Sequence, residues 1–147
     1  MNTAEILNIG TTPTLAKDVM STELITVRDD CSLEEALKVL INNRITGLPV
    51  VDKQGKLVGV LSEYDILAQV AQAGPLKPQH FEGKITFSNQ VDSIAQDTPI
   101  DEVIEHFVKS RFRRLPVVDG KGKQDKLVGI ITRRDLIRLF YYRAQLS

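Results

Sequence analysis

The chain of 147 residues has few of the side chains on which metal sites and many enzyme active sites depend. Its one cysteine, Cys31, excludes an intrachain disulfide and a cysteine-based zinc site. Its two histidines, His80 and His106, stand far apart with no cysteine or carboxylate at ligand spacing, so no metal site is expected. No Ser/His/Asp arrangement and no glycine-rich phosphate loop is present, and we therefore expect no catalytic residues.

The chain also lacks an excess of charge and a long apolar run. Its 19 basic and 19 acidic residues balance, so the overall charge gives no reason to expect binding to nucleic acid or to a membrane. No stretch approaches the roughly 18 apolar residues of a membrane span. Met1 to Gly10 lacks the pattern of a signal peptide. The expected location is therefore the cytoplasm, and Cys31 is expected to be a buried thiol, with a redox role or an intersubunit disulfide as the alternative.

What the chain does contain is an internal repeat. The segment Leu48–Asp52 (LPVVD) returns as Leu115–Asp119, and Leu57–Gly59 (LVG) returns as Leu127–Gly129. The two LVG segments lie further apart in the chain than the two LPVVD segments do. The turn between LPVVD and LVG is therefore longer in the second copy. A repeat of this kind predicts two copies of one structural unit, related by pseudo-twofold symmetry.

Each copy has the pattern of a β-α-β-β-α unit. In the first copy, Ser32 and Glu35 form a capping-box signature before apolar residues at helical spacing, and Ser62 precedes a second helix that ends at Gly74. In the second copy, Thr98 and Thr132 are the predicted caps. The predicted fold class is α/β (α+β), with two such units packed sheet to sheet. The predicted divisions are a loose segment 1–15, a first unit 16–73, a linker 74–84 and a second unit 85–147.

Three motifs occur in the same order in both copies. They are the hydrophobic-Pro-Val-Val-Asp strand, the Leu-Val-Gly strand, and a Gly-x-x-Ser/Thr-x-x-Asp motif at Gly59–Asp65 and Gly129–Asp135. Together with the lead-in Asp18–Met20, this pattern resembles the CBS domain, and the two copies resemble a Bateman module. The lead-in of the second copy, Ile85–Phe87, departs from the family pattern.

The resemblance implies a non-catalytic regulatory module. Such a module binds AMP, ADP or ATP between its two units, signals to a regulated protein partner, and requires no other cofactor. In the shared motif, an aspartate can accept hydrogen bonds from ribose hydroxyls, and the hydroxyl residue can bond to sugar or phosphate. The N-terminus of the following helix favours phosphate. A Ser/Thr-x-x-Asp motif is also an ordinary capping box, so a purely structural role stays open.

The resemblance implies two ligand sites, each with residues from both copies. Arg114 favours one of them for phosphate because a guanidinium pairs with phosphate bidentately, whereas Gly47 stands at that position in the first copy. Asp92 in the other site would disfavour an anion. The alternative role of the arginines is a solvated surface that binds no phosphate. The preferred site consists of Thr132, Asp135, Arg114, Ile130, Ile25, Ile45, Thr46 and Gly47. The second site consists of Ser62, Asp65, Val60, Asp92, Phe112 and Arg113.

Three other functions remain open at this stage. An S-adenosylmethionine sensor would keep the aspartate–ribose contact without needing the arginines. A nucleotide-independent interaction module would have unused clefts, and a nucleotide hydrolase has the least support because no general base is recognisable. A homodimer is expected because the family commonly forms one through its helices, and because the last helix, near Leu136–Tyr141, has more apolar residues than one buried face requires.

Overall fold

The structure, a computed structural model, describes residues 14–110, 113–120 and 125–146. The chain divides into two compact units. We call Ile25–Val91 the continuous unit, and Met1–Leu24 together with Asp92–Ser147 the split unit. In chain order the elements are α1 (Ala16–Val19), β1 (Val27–Arg28), α2 (Leu33–Asn43), β2 (Gly47–Val51), β3 (Leu57–Ser62), α3 (Glu63–Ala73), a 3-10 helix (Pro78–Phe81), β4 (Ile94–Ala95), α4 (Ile100–Ser110), β5 (Arg114–Val118), β6 (Leu127–Thr132) and α5 (Arg133–Leu146).

The continuous unit contains a three-stranded mixed sheet in the order β1-β2-β3. β1 runs parallel to β2, and β2 runs antiparallel to β3 with Leu48 opposite Leu61. These two leucines are fully buried together with Leu33 of α2. The predicted cap of α2 is confirmed, because the Ser32 hydroxyl oxygen accepts a hydrogen bond from the Glu35 amide at 3.1 Å.

The split unit repeats this sheet in the order β4-β5-β6, with Leu115 opposite Ile131. The predicted β-α-β-β-α order and the mixed α/β class are thus confirmed in both copies. The cap predicted at Thr98 is wrong by one residue, since α4 begins at Ile100. The Thr98 carbonyl instead accepts a hydrogen bond from the Ala16 amide at 2.8 Å, which holds α1 beside this turn. Packing of the two sheets against each other stays a prediction.

The lead-in of each copy pairs with the sheet of the other copy. Ser21 exchanges backbone hydrogen bonds of 2.8 and 3.0 Å with Ile130 on β6, and Ser88 exchanges bonds of 2.9 and 3.1 Å with Val60 on β3. The compact units therefore depart from the predicted divisions: residues 16–24 belong with the second copy and residues 85–91 with the first. The predicted linker contains the 3-10 helix, whose Phe81 packs against the core of the continuous unit.

Glycine in the Leu-Val-Gly strand lets each lead-in approach the sheet closely. A methyl group at Gly59 would overlap the Phe87 ring and the Ser88 carbonyl, and one at Gly129 would overlap the Met20 side chain. Phe87 follows Met20 at the same offset by which the second LPVVD segment follows the first, so the two residues are equivalent although their lead-in sequences differ. The shared glycine thus has a packing role that is independent of any ligand.

The loose N-terminal segment predicted for residues 1–15 needs a correction at its end. Residues 1–13 lie outside the described residues. Thr14 is buried and its hydroxyl oxygen accepts a hydrogen bond from Arg143 Nη2 at 3.0 Å, while Leu15 bridges to Pro99. Backbone pairing and burial therefore hold these two residues in place.

In the described part of the chain, no helix has the length and apolar character of a membrane span.

The two close approaches predict unequal responses to a methyl group. Gly59→Ala should lower the free energy of unfolding by about 1–3 kcal/mol, because it overlaps a ring and a backbone carbonyl that cannot both move aside. Gly129→Ala should cost less, because Met20 is flexible. Urea denaturation measures both, with Gly83→Ala as the control, since a methyl there meets its nearest atom at 3.8 Å. An equal or larger loss for Gly129→Ala would contradict this account.

Candidate functional site

In the split unit, the predicted hydroxyl and carboxylate residues form a reciprocal cap at the start of α5. The Thr132 amide donates to Asp135 Oδ2 at 2.8 Å, and the Asp135 amide donates to Thr132 Oγ1 at 3.2 Å. Asp135 Oδ1 lies 3.9 Å from Nη1 of Arg138. The structural role is therefore real, and it fixes the position of a carboxylate whose second oxygen is only weakly engaged within the described residues.

In the continuous unit, Ser62 and Asp65 form the same cap at the start of α3. The amide contacts measure 2.8 and 3.2 Å, and the Ser62 hydroxyl also donates to Asp65 Oδ2 at 2.9 Å. The hydroxyl hydrogen of Thr132 has no such acceptor in the described part of the chain. Thr132 is thus the better placed of the two to donate a hydrogen bond to a ligand.

The neighbouring strand brings different side chains to the two caps. Arg114 on β5 lies opposite Thr132, and Gly47 on β2 lies opposite Ser62. The residues before them are also equivalent in place: the Arg113 carbonyl accepts from the first amide of α5, and the Thr46 carbonyl accepts from the first amide of α3, both at 3.1 Å. The structure therefore brings Arg114 beside Thr132 as predicted.

We call each cap, together with the residues beside it on the neighbouring strand and in the first turn of the helix, a half-site. Charge is the main difference between the two half-sites. In the split unit, a single acidic residue, Asp135, stands among several basic ones at the end of β6, and in the continuous unit the equivalent positions are neutral or acidic. Guanidinium groups and a helix N-terminus both attract anions, and the two occur together in the basic half-site. The equivalent positions are Arg113, Arg114, Arg133 and Arg134 in the split unit, and Thr46, Gly47, Glu63 and Tyr64 in the continuous unit.

The aliphatic residues of the two predicted sites lie close to the caps or to the ends of strands. Ile130 and Val60 are half-buried and paired through their backbones with the lead-ins. Ile45 is half-buried against the core of the continuous unit, and Ile25 is partly exposed before β1. Phe112, predicted for the second site, lies outside the described residues. Core packing therefore accounts for much of the Ile45 side chain.

The structure gives Asp92 a partner that the sequence analysis missed. Its Oδ2 lies 2.7 Å from Nε2 of His106, a histidine that the analysis treated as isolated. A signal was present, because Asp92 and His106 are the repeat equivalents of Ile25 and Val39, so an apolar pair in the first copy becomes a polar pair in the second. The Asp92 carboxylate is thus already engaged within the split unit.

The predicted sites divide between the two units as follows. Thr132, Asp135, Arg114 and Ile130 lie together in the split unit, whereas the other members of the preferred site lie in the continuous unit. For the second site, Ser62, Asp65 and Val60 lie in the continuous unit, and Asp92 and Arg113 lie in the split unit. The combination of the two halves in one cleft stays a prediction.

Neither Cys31 nor the described histidines form a metal-binding cluster. Among residues 14–110, 113–120 and 125–146, no group of three or more His, Cys, Asp and Glu side chains is placed to hold a metal ion. Cys31 is buried, and burial together with the nearby Glu35 carboxylate raises the pKa of its thiol. A raised pKa leaves less of the reactive thiolate near neutral pH, in agreement with a packed thiol.

The comparison with known proteins identifies the repeated unit. The CBS domain family matches residues 16–72 and 85–142, which are most of the chain. The chain is a tandem pair of CBS domains. The resemblance stated from the repeated motifs is confirmed, and the chain belongs to this family.

Solved structures of CBS pairs share this fold. CBSX2 of Arabidopsis thaliana, solved in complex with AMP, is 32% identical with a TM-score of 0.69, and the match covers 90% of this chain and 97% of that one. The CBS domain pair of protein MJ0100, solved with 5′-methylthioadenosine and S-adenosyl-L-methionine, is 34% identical with a TM-score of 0.67, covering 90% and 99%.

The first curated relatives that this CBS pair matches are longer than the chain. The chloroplast protein CBSX1 of Arabidopsis thaliana is 32% identical over 79% of this chain and 58% of its own length. The chain spans less than two thirds of the length of the first curated relatives that it matches. A large part of each of these relatives therefore has no counterpart in this chain.

The two caps predict similar losses of stability when either hydroxyl is removed. Ser62→Ala and Thr132→Ala should each lower the free energy of unfolding by about 0.5–2 kcal/mol, because an amide at the start of the helix loses its acceptor. Thr132→Ser is the control, since it keeps the hydroxyl. Urea denaturation followed by circular dichroism measures the loss, and full stability of both alanine variants would show that these caps do not stabilise the fold.

Proposed function

We propose that this pair of CBS domains is a non-catalytic regulatory module that binds AMP, ADP or ATP between its two units and signals to a partner protein. The observation that carries the proposal is the half-site of the split unit, in which Arg114 lies opposite the Thr132–Asp135 cap. This half-site offers a hydroxyl donor, a carboxylate acceptor and a guanidinium, which match the three kinds of polar group on a nucleoside phosphate.

The chemistry of the half-site divides between the two carboxylate oxygens. Asp135 Oδ2 is engaged by the Thr132 amide, so Oδ1 is the oxygen available to accept hydrogen bonds from ribose hydroxyls. Arg114 and the first turn of α5 would bind the phosphate. The continuous unit would supply the apolar wall for adenine through Ile25 and Ile45, with Thr46 and Gly47 beside them.

The relatives support two classes of ligand. The AMP complex of CBSX2 supports a nucleoside phosphate, and the complex of the MJ0100 pair supports S-adenosylmethionine as a second candidate. The basic residues near Thr132 favour the first, because S-adenosylmethionine has no phosphate and its sulfonium is positively charged. In either case, a ligand can regulate a partner only by binding one conformation of the module more tightly than another.

Thermal unfolding with a panel of ligands tests the proposal directly. AMP, ADP and ATP should raise the melting temperature, since a ligand at 100 times its dissociation constant adds about 2.7 kcal/mol to the stability. Adenosine and GTP should shift it less. Asp135→Asn is the control, because it keeps an oxygen for the Thr132 amide but loses the carboxylate, and its shift should be lost.

The other outcomes of the panel are equally informative. A shift with S-adenosylmethionine alone would replace the leading ligand with the second candidate. An unchanged melting temperature with every compound would contradict ligand regulation and favour a nucleotide-independent interaction module. An undiminished shift in Asp135→Asn would show that the site has been assigned to the wrong residues.

Arg114→Ala should separate binding of phosphate from binding of nucleoside. Affinity for AMP should fall by about 10-fold to 150-fold, because a hydrogen bond to a charged group contributes roughly 1.5–3 kcal/mol. Affinity for adenosine should stay nearly constant. Isothermal titration calorimetry measures both, with Arg28→Ala as the control, since Arg28 is exposed and paired with Asp30 in the other unit. Equal losses for AMP and adenosine would count against a phosphate contact at Arg114.

A further inference from the structure

His106 and Asp92 form a polar pair within the split unit that ties a residue outside the strands to a helix. Asp92 stands two residues before β4, and its Oδ2 lies 2.7 Å from Nε2 of His106 on α4. An ionised carboxylate only accepts hydrogen bonds, so His106 is the donor. The histidine therefore fixes one oxygen of Asp92 and leaves the other oxygen for a second donor.

The second carboxylate oxygen of Asp92 is open within residues 14–110, 113–120 and 125–146. No hydrogen bond or ion pair in this part of the chain involves Oδ1. The side chains of Asp92 and His106 are 36% and 34% exposed, so a small molecule can reach the pair. A charged acceptor that is held at one oxygen and open at the other is suited to a ligand with a hydrogen-bond donor.

The pair occurs in only one copy of the repeat. The equivalent residues of the first copy are Ile25 and Val39, which are both apolar. Ile25 also stands two residues before its strand, β1, and it belongs to the proposed adenine wall of the preferred site. A carboxylate at the equivalent place in the second site would meet the same part of a bound nucleoside, but with a polar contact instead of an apolar one.

A carboxylate distinguishes purine bases by the group at position 6. Adenine has an amino group there, which donates hydrogen bonds, whereas guanine and hypoxanthine have a carbonyl oxygen, which accepts them. Asp92 Oδ1 can accept from the amino group, but opposite the carbonyl oxygen it meets a second acceptor. A site built to hydrogen-bond one substrate group rejects the analogue without that group, because a polar group of the protein is then left unpaired.

We propose that Asp92 recognises the 6-amino group of adenine in the second site, and that His106 is the positioning residue that holds Asp92 for this contact. The role rests on the proposed binding of an adenosine compound, and it adds a choice of base for which Ile25 in the preferred site has no polar group. His106 immobilises the carboxylate before the ligand arrives, so binding costs less conformational entropy. Only a base with a donor at position 6 gains from this, because a base with an acceptor there does not bond to Oδ1.

Binding of adenosine and inosine to two matched variants tests the two sites separately. Asp135→Asn removes the carboxylate of the preferred site and leaves the second site, whereas Asp65→Asn does the reverse. Nucleosides are the probes because the charge of Asp92 disfavours a phosphate. In the Asp135→Asn chain, calorimetry should show adenosine binding about 10-fold to 150-fold more tightly than inosine, the range for a hydrogen bond to a charged group. In the Asp65→Asn chain, this ratio should be clearly smaller.

Variants of the pair are compared in the Asp135→Asn chain. Asp92→Asn should bring the ratio close to one, because an amide offers both a donor and an acceptor. His106→Leu should reduce the ratio about twofold to tenfold, which corresponds to immobilising one side chain on binding. His106→Gln should restore part of the ratio, because its amide can donate to Asp92. The same changes in the Asp65→Asn chain are the control and should leave its ratio unaltered.

The ratio also distinguishes positioning from a purely structural role. If the pair only stabilises the split unit, His106→Leu will lower the melting temperature without ligand and leave the ratio unchanged, which would overturn the positioning role. Adenosine binding to the Asp65→Asn chain but not to the Asp135→Asn chain would overturn the role of Asp92 and leave the proposed function intact. If the natural chain binds no adenosine compound, both are wrong.

Discussion

The rest of the structure depends on one constraint, which is that each lead-in lies close against a strand at a position where the strand has a glycine. These glycines are Gly59 on β3 and Gly129 on β6. An ordinary side chain at either glycine would overlap Phe87 or Met20. The lead-ins pair with Val60 on β3 and with Ile130 on β6. They therefore occupy backbone groups of the same strands that end at Ser62 and Thr132. Each copy of the repeat thus completes the sheet of the other, and neither compact unit is made from one sequence copy alone.

The same strands end in helix caps whose residues stabilise the fold and are also the proposed ligand-binding residues. An aspartate that only capped a helix would need one oxygen, and Asp135 uses Oδ2 for that purpose. The cap restricts the rotation of the side chain, so the remaining oxygen is held in one place before any ligand arrives. A group fixed in this way loses little conformational entropy on binding. The structural role of the motif would therefore support the proposed ligand-binding role rather than compete with it.

The sequence predicted well what depends on neighbouring residues and poorly what depends on distant ones. Local propensity and spacing predict the strands at Leu48 and Leu115 and the caps at Ser32, Ser62 and Thr132. The repeat supports the two strands and the caps at Ser62 and Thr132 by a second occurrence. The exchange of lead-ins and the Asp92–His106 pair depend on residues far apart in the chain, which no local pattern reports. The cap at Thr98 was misplaced because the Thr98 carbonyl accepts from Ala16, which lies near the other end of the chain.

Two differences between the copies change the charge at the start of α5, beside the proposed phosphate site. Most buried positions in the helices and strands stay apolar in both copies, but Gly47 becomes Arg114, and Glu63 becomes Arg133. Both changes add positive charge around the start of α5, which is the end of the helix least suited to it. Such an arrangement favours an anion such as the phosphate of a nucleotide.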